Sequence, residues 1–166
     1  KSDSAKKKFI FTPILNVECT DVKNQGSSGT CWSYSTNSFL ESEMIRMGKK
    51  PVDIAEIYTA RCVYKDKADT YVRMHGDASW GDGGACHDVI NMYRKYGAIP
   101  QKVYTGLNYG TTKNKFGEMQ AILKGMLDAV VSNKNGKLTP NWKIAFDAVL
   151  DAYLGVVPKT FMYKGT

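Results

Sequence analysis

The sequence has no long apolar run. Nothing in it approaches the roughly 18 consecutive apolar residues of a membrane-spanning helix, and its amino end has no signal-peptide hydrophobic core. Cysteine is sparse and scattered: Cys19, Cys31, Cys62 and Cys86 include no C-x-x-C pair, which argues against a zinc site and against a dense disulfide framework. Histidine is scarcer still, confined to His75 and His87. Internal repeats and low-complexity tracts are also missing, so repeat architectures and flexible tethers drop out.

What is present bounds the answer. A chain of 166 residues with 43% hydrophobic content can bury one good core, so it is one domain or part of one. Lys and Arg number 23 against 16 Asp and Glu, for a net charge of +7, and the excess is spread out apart from "KKK" at 6–8 and "GKK" at 48–50. That is a mildly basic surface and a weak pointer to an acidic or nucleic-acid partner. The first residue is Lys1 rather than methionine, so an export signal removed upstream is one option and the compartment stays open.

Apolar spacing predicts five helices. Trp32, Phe39, Leu40, Met44 and Met47 follow Cys31, and Gly48 suits the position past a helix end. Asp53 with Glu56 three residues later resembles a capping box that opens a helix through Ile54, Ile57, Tyr58 and Cys62. Val89, Ile90, Met92, Tyr93 and Tyr96 form a third, which Gly97 and Pro100 stop. The strongest pattern runs from Met119 to Val131, and the last from Trp142 to Tyr153 before Gly155; both stripes read as core. A polar stretch from 65 to 84, closing in "SWGDGGA", reads as loop, and strand signals are short and poor.

The segment "VKNQGSSGTCWSYSTNSF" carries the chemistry. A thiol attacks a carbonyl as thiolate, and a cysteine in the first turn of a helix has its pKa lowered by unpaired N–H groups and the positive dipole end. Gly26 and Gly29 permit the tight turn that delivers the chain to Cys31. Gln25 can fold back so that its amide and the backbone N–H of Cys31 converge on one developing oxyanion, the pair of donors that acyl transfer requires. The plain alternative is a small residue at a helix start. His75, in the polar stretch, and His87, beside Asp88, read as solvent-facing or locally bonded, and Cys19, Cys62 and Cys86 as packing cysteines. Cys86 next to His87 lacks the further ligands that a metal needs.

At these residues the sequence resembles the papain-like cysteine peptidases, through "QGSSGTCWSYS" and the Gly-Gly pair of "WGDGGA". The secreted papain type bridges two cysteines where this chain has Ser28 and Gly81; both halves of that bridge are missing together, which indicates a consistent subtype. That subtype is similar to the bleomycin hydrolase and aminopeptidase C branch, through "DIAEIYTARCVYKDKADTYV", "DGGACHDVINMYRKYGAIPQKVY" and "LDAYLGVVPKTFMY". Ala85 and Cys86 depart from the Gln and Trp usual in the branch, at positions that shape the pocket.

The resemblance implies an α+β papain-like fold, of which this chain is the mostly helical amino-terminal portion, lacking the β-rich half that carries a histidine and an asparagine. It implies an extended leader at 1–20, a nucleophile loop and helix at 21–48, a Gly-Gly loop with helices at 49–112, and a helical family-specific insertion at 113–166. Cys31 would be the nucleophile and Gln25 the oxyanion donor, Trp32 would pack behind the thiolate, and Asp82, Gly83 and Gly84 would form the substrate-binding stretch. The base lies at least about 130 residues downstream of the cysteine in papain-type chains, and the final "FMYKGT" holds no histidine. Expected partners are a peptide substrate, a complementary carboxyl-terminal half, and further copies in a hexamer; no cofactor and no metal are implied. The implied activity is aminopeptidase hydrolysis of peptide or amide bonds, inactive in the isolated chain, with a cytoplasmic location or an exported one. The rival readings are a catalytically lapsed binding or structural protein and, more weakly, nucleic-acid binding.

Overall fold

The computed structural model describes residues 9–108, 110–134 and 136–163; the basic run at 6–8 lies outside them. Five helices carry the regular structure: α1 Cys31–Arg46, α2 Glu56–Arg73, α3 Cys86–Tyr96, α4 Gly117–Val131 and α5 Asn141–Leu154. Among the described residues there is no strand, only the isolated bridges Ser27 with Lys115 and Ile54 with Pro100. None of the helices is long and apolar enough to cross a membrane.

α2 is the shared wall. Every residue from Ile54 to Tyr64 is buried, which is what a helix covered on all sides requires. α1 and α3 pack on each other and on α2, while α4 and α5 pack on each other and on α2. Phe116, Met119, Leu123, Leu127, Leu150 and Leu154 fill the space between the second pair and Tyr64, whose ring meets that of Phe116 edge-on at 6.3 Å. Arg61 crosses the same boundary from α2: its guanidinium donates to Asp151 at 2.7 Å and to the Gly155 carbonyl at 3.0 Å, satisfying the carboxyl end of α5.

Three expectations change. The polar stretch at 65–84 is loop only in its second half, because Tyr64, Ala68 and Tyr71 keep helical spacing against the core and carry α2 on to Arg73. The capping box of Asp53 and Glu56 does not form: Ala55 is the N-cap and no side chain caps the helix, since both carboxylates turn to the Lys23 ammonium at 2.5 Å each. Of the three cysteines expected to pack, only Cys62 is buried, its thiol pushed up to about 11 by that burial; Cys19 and Cys86 are exposed.

Lys23 explains how two glutamates can be buried here. Glu41 on α1 and Glu56 on α2 are almost wholly inaccessible, and the ammonium lies 3.2 Å from Glu41 as well as beside Asp53 and Glu56. Glu41 also accepts from Thr20 Oγ1 at 2.5 Å and from the Ile54 N–H at 2.7 Å. Burial lowers the Lys23 pKa, but the hydrogen bonds to Asp53 and Glu56 and the charges of Glu56 and Glu41 more than reverse it, so the pKa is raised. A raised cationic pKa stabilises the fold fully below the unfolded value of 10.5, and that contribution is lost only as pH rises through the higher folded value. Removing the ammonium leaves buried carboxylates uncompensated, so Lys23→Met in the intact protein should lose about 3–5 kcal/mol at neutral pH. Urea unfolding measures this, and a loss below about 1 kcal/mol would show that the cluster is not held by charge.

Candidate active site

The loop before α1 is built from local hydrogen bonds. Asn24 Oδ1 accepts from the Gly26 N–H at 2.8 Å, and Gly26 sits at φ 64, where a Cβ would fall 2.6 Å from the Asn114 carbonyl oxygen. That same oxygen accepts from the Ser27 N–H at 2.7 Å, and Phe116 N–H donates back to Ser27 at 3.1 Å, so residues 114–116 stitch the loop down. Ser28 is buried, and its hydroxyl donates to the Gln25 carbonyl at 2.8 Å and lies 2.6 Å from Thr30 Oγ1. The residue that cannot form a disulfide at this place therefore braces the loop from within.

Cys31 opens α1 and is exposed. No acidic residue stands in the first turn and no side chain caps it. Gln25 is half-buried and donates one amide hydrogen to the Ser28 carbonyl at 2.8 Å, which fixes the amide and leaves its second hydrogen for another acceptor.

The "GDGG" loop is tied to this segment. Asp82 Oδ2 accepts from the Gly29 N–H at 3.0 Å, and the Asp82 carbonyl accepts from Trp32 Nε1 at 2.9 Å. The contact is so close that a Cβ at Gly29 would lie 2.6 Å from Asp82 Cβ, and one at Gly84 would lie 2.5 Å from Trp32 Cε2. Gly83 differs, for a Cβ there meets nothing within 4 Å. Trp80 anchors the loop behind, edge-on to Phe146 at 5.8 Å and tilted against Tyr64 at 6.3 Å. From α2, Lys67 donates to the carbonyls of Gly81, at 2.9 Å, and Gly83. Burial lowers the Lys67 pKa, opposed by the charges of Asp88 and Asp82.

The structure thus brings Gln25, Cys31, Trp32, Asp82 and Gly84 into one connected unit, with Gly83 open beside it. A groove of about 430 Å³ lies between α1 and α3, walled by Phe39, Leu40, Cys86 and Ile90. His87 is exposed on its rim with Nε2 3.5 Å from Asp88, and His75 is exposed past α2 at φ 53. Among the described residues neither histidine hydrogen-bonds to Cys31. Glu41, Asp53 and Glu56 lie close enough together to hold a metal ion, but the Lys23 ammonium takes the place a cation would. The sequence did not reveal Lys67 or the stitch at 114–116: a lysine amid charged helix residues looks solvated, and a single bridge leaves no periodicity to read.

A model of the papain family cysteine proteases matches residues 14–144. The chain is 26% identical over 123 residues to the mitochondrial cysteine proteinase 1 of Saccharomyces cerevisiae (strain YJM789), covering 64% of this chain and 26% of that one. It is 24% identical over 193 residues to aminopeptidase C of Lactobacillus delbrueckii subsp. lactis, covering 99% and 43%, and 27% identical over 150 residues to a probable cysteine protease, RD19B, of Arabidopsis thaliana, covering 83% and 40%. The chain therefore spans less than half the length of these relatives.

The two adjacent glycines should respond differently to a methyl group. Gly84→Ala drives a Cβ into the Trp32 ring and should destabilise the protein by about 1–3 kcal/mol, with a shift in tryptophan emission. Gly83→Ala should leave the melting temperature within about 2 °C of wild type, since nothing stands in its way. Equal effects at the two positions would contradict the packing described.

Proposed function

Because this chain belongs to the papain family of cysteine proteases, we propose that it forms the amino-terminal, mostly helical part of a peptidase of the aminopeptidase C and bleomycin hydrolase type. The observation that carries this is Cys31 at the open amino end of α1, in a loop where the Ser28 carbonyl holds the Gln25 amide. The Cys31 thiolate attacks the substrate carbonyl carbon, and the carbonyl oxygen becomes an oxyanion accepted by the Gln25 amide and the Cys31 N–H. As the C–N bond breaks, the leaving amine takes a proton from a histidinium and a thioester remains; water, deprotonated by the same imidazole, then releases the acid and regenerates the thiolate. The Gly84 backbone pairs with substrate, and the groove between α1 and α3 receives an apolar side chain.

The imidazole of this scheme comes from a further segment, where an asparagine orients it. The exposure of His75 and His87, away from any hydrogen bond to Cys31, supports that assignment. So does an unpartnered apolar surface: Phe9, Phe11, Ile14, Leu15 and Val22 each retain more than four fifths of their accessibility, and Phe39 on α1 is 62% exposed. A complementary half covering these residues would close the cleft over Cys31. The similarity to aminopeptidase C supports removal of amino-terminal residues as the mode of action.

Three measurements test the reading. In the intact protein iodoacetamide should label Cys31 ahead of Cys19, Cys62 and Cys86, and labelling of Cys19 or Cys86 first would remove Cys31 as the nucleophile. Gln25→Ala should lower kcat by about 10²-fold while the protein stays folded, and an unchanged kcat would end the oxyanion role. Residues 1–166 produced alone should show no turnover of an aminoacyl fluorogenic amide; turnover that vanishes in Cys31→Ala would place a base within this sequence.

A further inference from the structure

The carbonyls of residues 81–83 alternate in direction. Those of Gly81 and Gly83 face Lys67 on α2, while the Asp82 carbonyl between them faces Trp32 on α1. The chain bends at Gly81 and Asp82 and is extended by Ala85, at φ −134 and ψ 166. Beyond the bend, the N–H and carbonyl of Gly84 have no hydrogen-bond partner among the described residues. No covalent link holds this backbone in place, because all four cysteines are free. Trp80 fixes only its entry into the core, and Asp82 fixes only its side toward the nucleophile loop.

We propose that Lys67 is a positioning residue for catalysis: by gripping the Gly81 and Gly83 carbonyls from α2, it holds the Gly83–Gly84 backbone extended and turns the Gly84 polar groups toward substrate. The ammonium is suited to this. It carries three donors on a flexible stem, so one side chain can satisfy two carbonyls, and a charged donor gives a stronger bond than a neutral one. Lys67 leaves α2 from the wall on which α1 also packs, so the substrate backbone and the nucleophile helix are referred to one rigid element. Through Asp82 the same grip reaches Gly29 and Trp32, on either side of Cys31.

Its substrate arm rests on the peptidase reading; its backbone arm does not. In the intact protein, Lys67→Met keeps the apolar stem and removes the donors. Amide exchange across residues 79–85 should speed up by about tenfold, with exchange in α1 and α2 unchanged. KM for a fluorogenic peptidyl amide should rise by about tenfold with kcat within about twofold, because the lost contact binds substrate and transition state alike. Iodoacetamide needs no substrate backbone, so its rate with Cys31 should stay within about twofold of wild type. Lys67→Arg, whose fork can reach two carbonyls, should recover most of the KM. If Lys67→Met does not fold, Lys67→Gln, with two weaker donors, should show the same pattern at smaller size. Wild-type exchange across 79–85 in a folded variant overturns the proposal, as does a fall in Cys31 alkylation that matches the fall in kcat/KM. Failure of the wild-type protein to show turnover that depends on Cys31 would instead overturn the peptidase reading, and the exchange experiment would still decide the role of Lys67.

Discussion

Burial of Glu41 and Glu56 sets the terms for the rest of the molecule. Two carboxylates inside a helical core are tolerable only with a cation among them, and Lys23 provides it from the loop two residues before Gln25. The charge balance of the core and the placement of the nucleophile loop are therefore one requirement. α1 brings Glu41, α2 brings Glu56, and the chain between Lys23 and Cys31 has no freedom to sit anywhere except across the start of α1. Had those glutamates been apolar, packing would have been easier and the loop would have lost its anchor.

From that anchor the site is assembled by polar contacts rather than by a bridge. Ser28 bonds within its own loop, Asp82 spans to Gly29 and Trp32, and residues 114–116 hold Ser27 by backbone pairing. Each bond contributes only about 0.5–1.5 kcal/mol, so none alone equals a disulfide, but together they fix direction as well as distance. The tight glycine contacts show why the loops can approach so closely: Gly29 and Gly84 have traded side chains for proximity to Asp82 and Trp32.

The helices were legible because their apolar spacing survives in the sequence, and Gly97 and Gly155 end α3 and α5 at φ 77 and 85, a region that favours glycine. The extension of α2 was hidden by its composition. Lys65, Asp66, Lys67 and Asp69 read as a solvated loop, yet Ala68 and Tyr71 hold the inner face at the proper interval. Asp53 and Glu56 misled for a related reason, since a capping pattern is a local signal and the Lys23 charge that overrode it lies 33 residues from Glu56. The turn into Cys31 and the start of α1 were readable from residue types in order, because Gly26, Ser28 and Gly29 shape it locally. Lys67 was not, because its partners are carbonyls, which no side-chain pattern reports.

On the proposed reading, the site is prepared on one side only. What this chain supplies is position: a thiol at the head of a helix, an amide donor already bonded to the Ser28 carbonyl, and a glycine loop tied to α2 through Lys67. On the proposed reading the remaining activation comes from an imidazolium on a separate structural half, and the exposed apolar residues at 9–22 and Phe39 mark where that half would rest. Such a division has a physical advantage. On that reading, the nucleophile meets its base only where the cleft that selects its substrate has also closed.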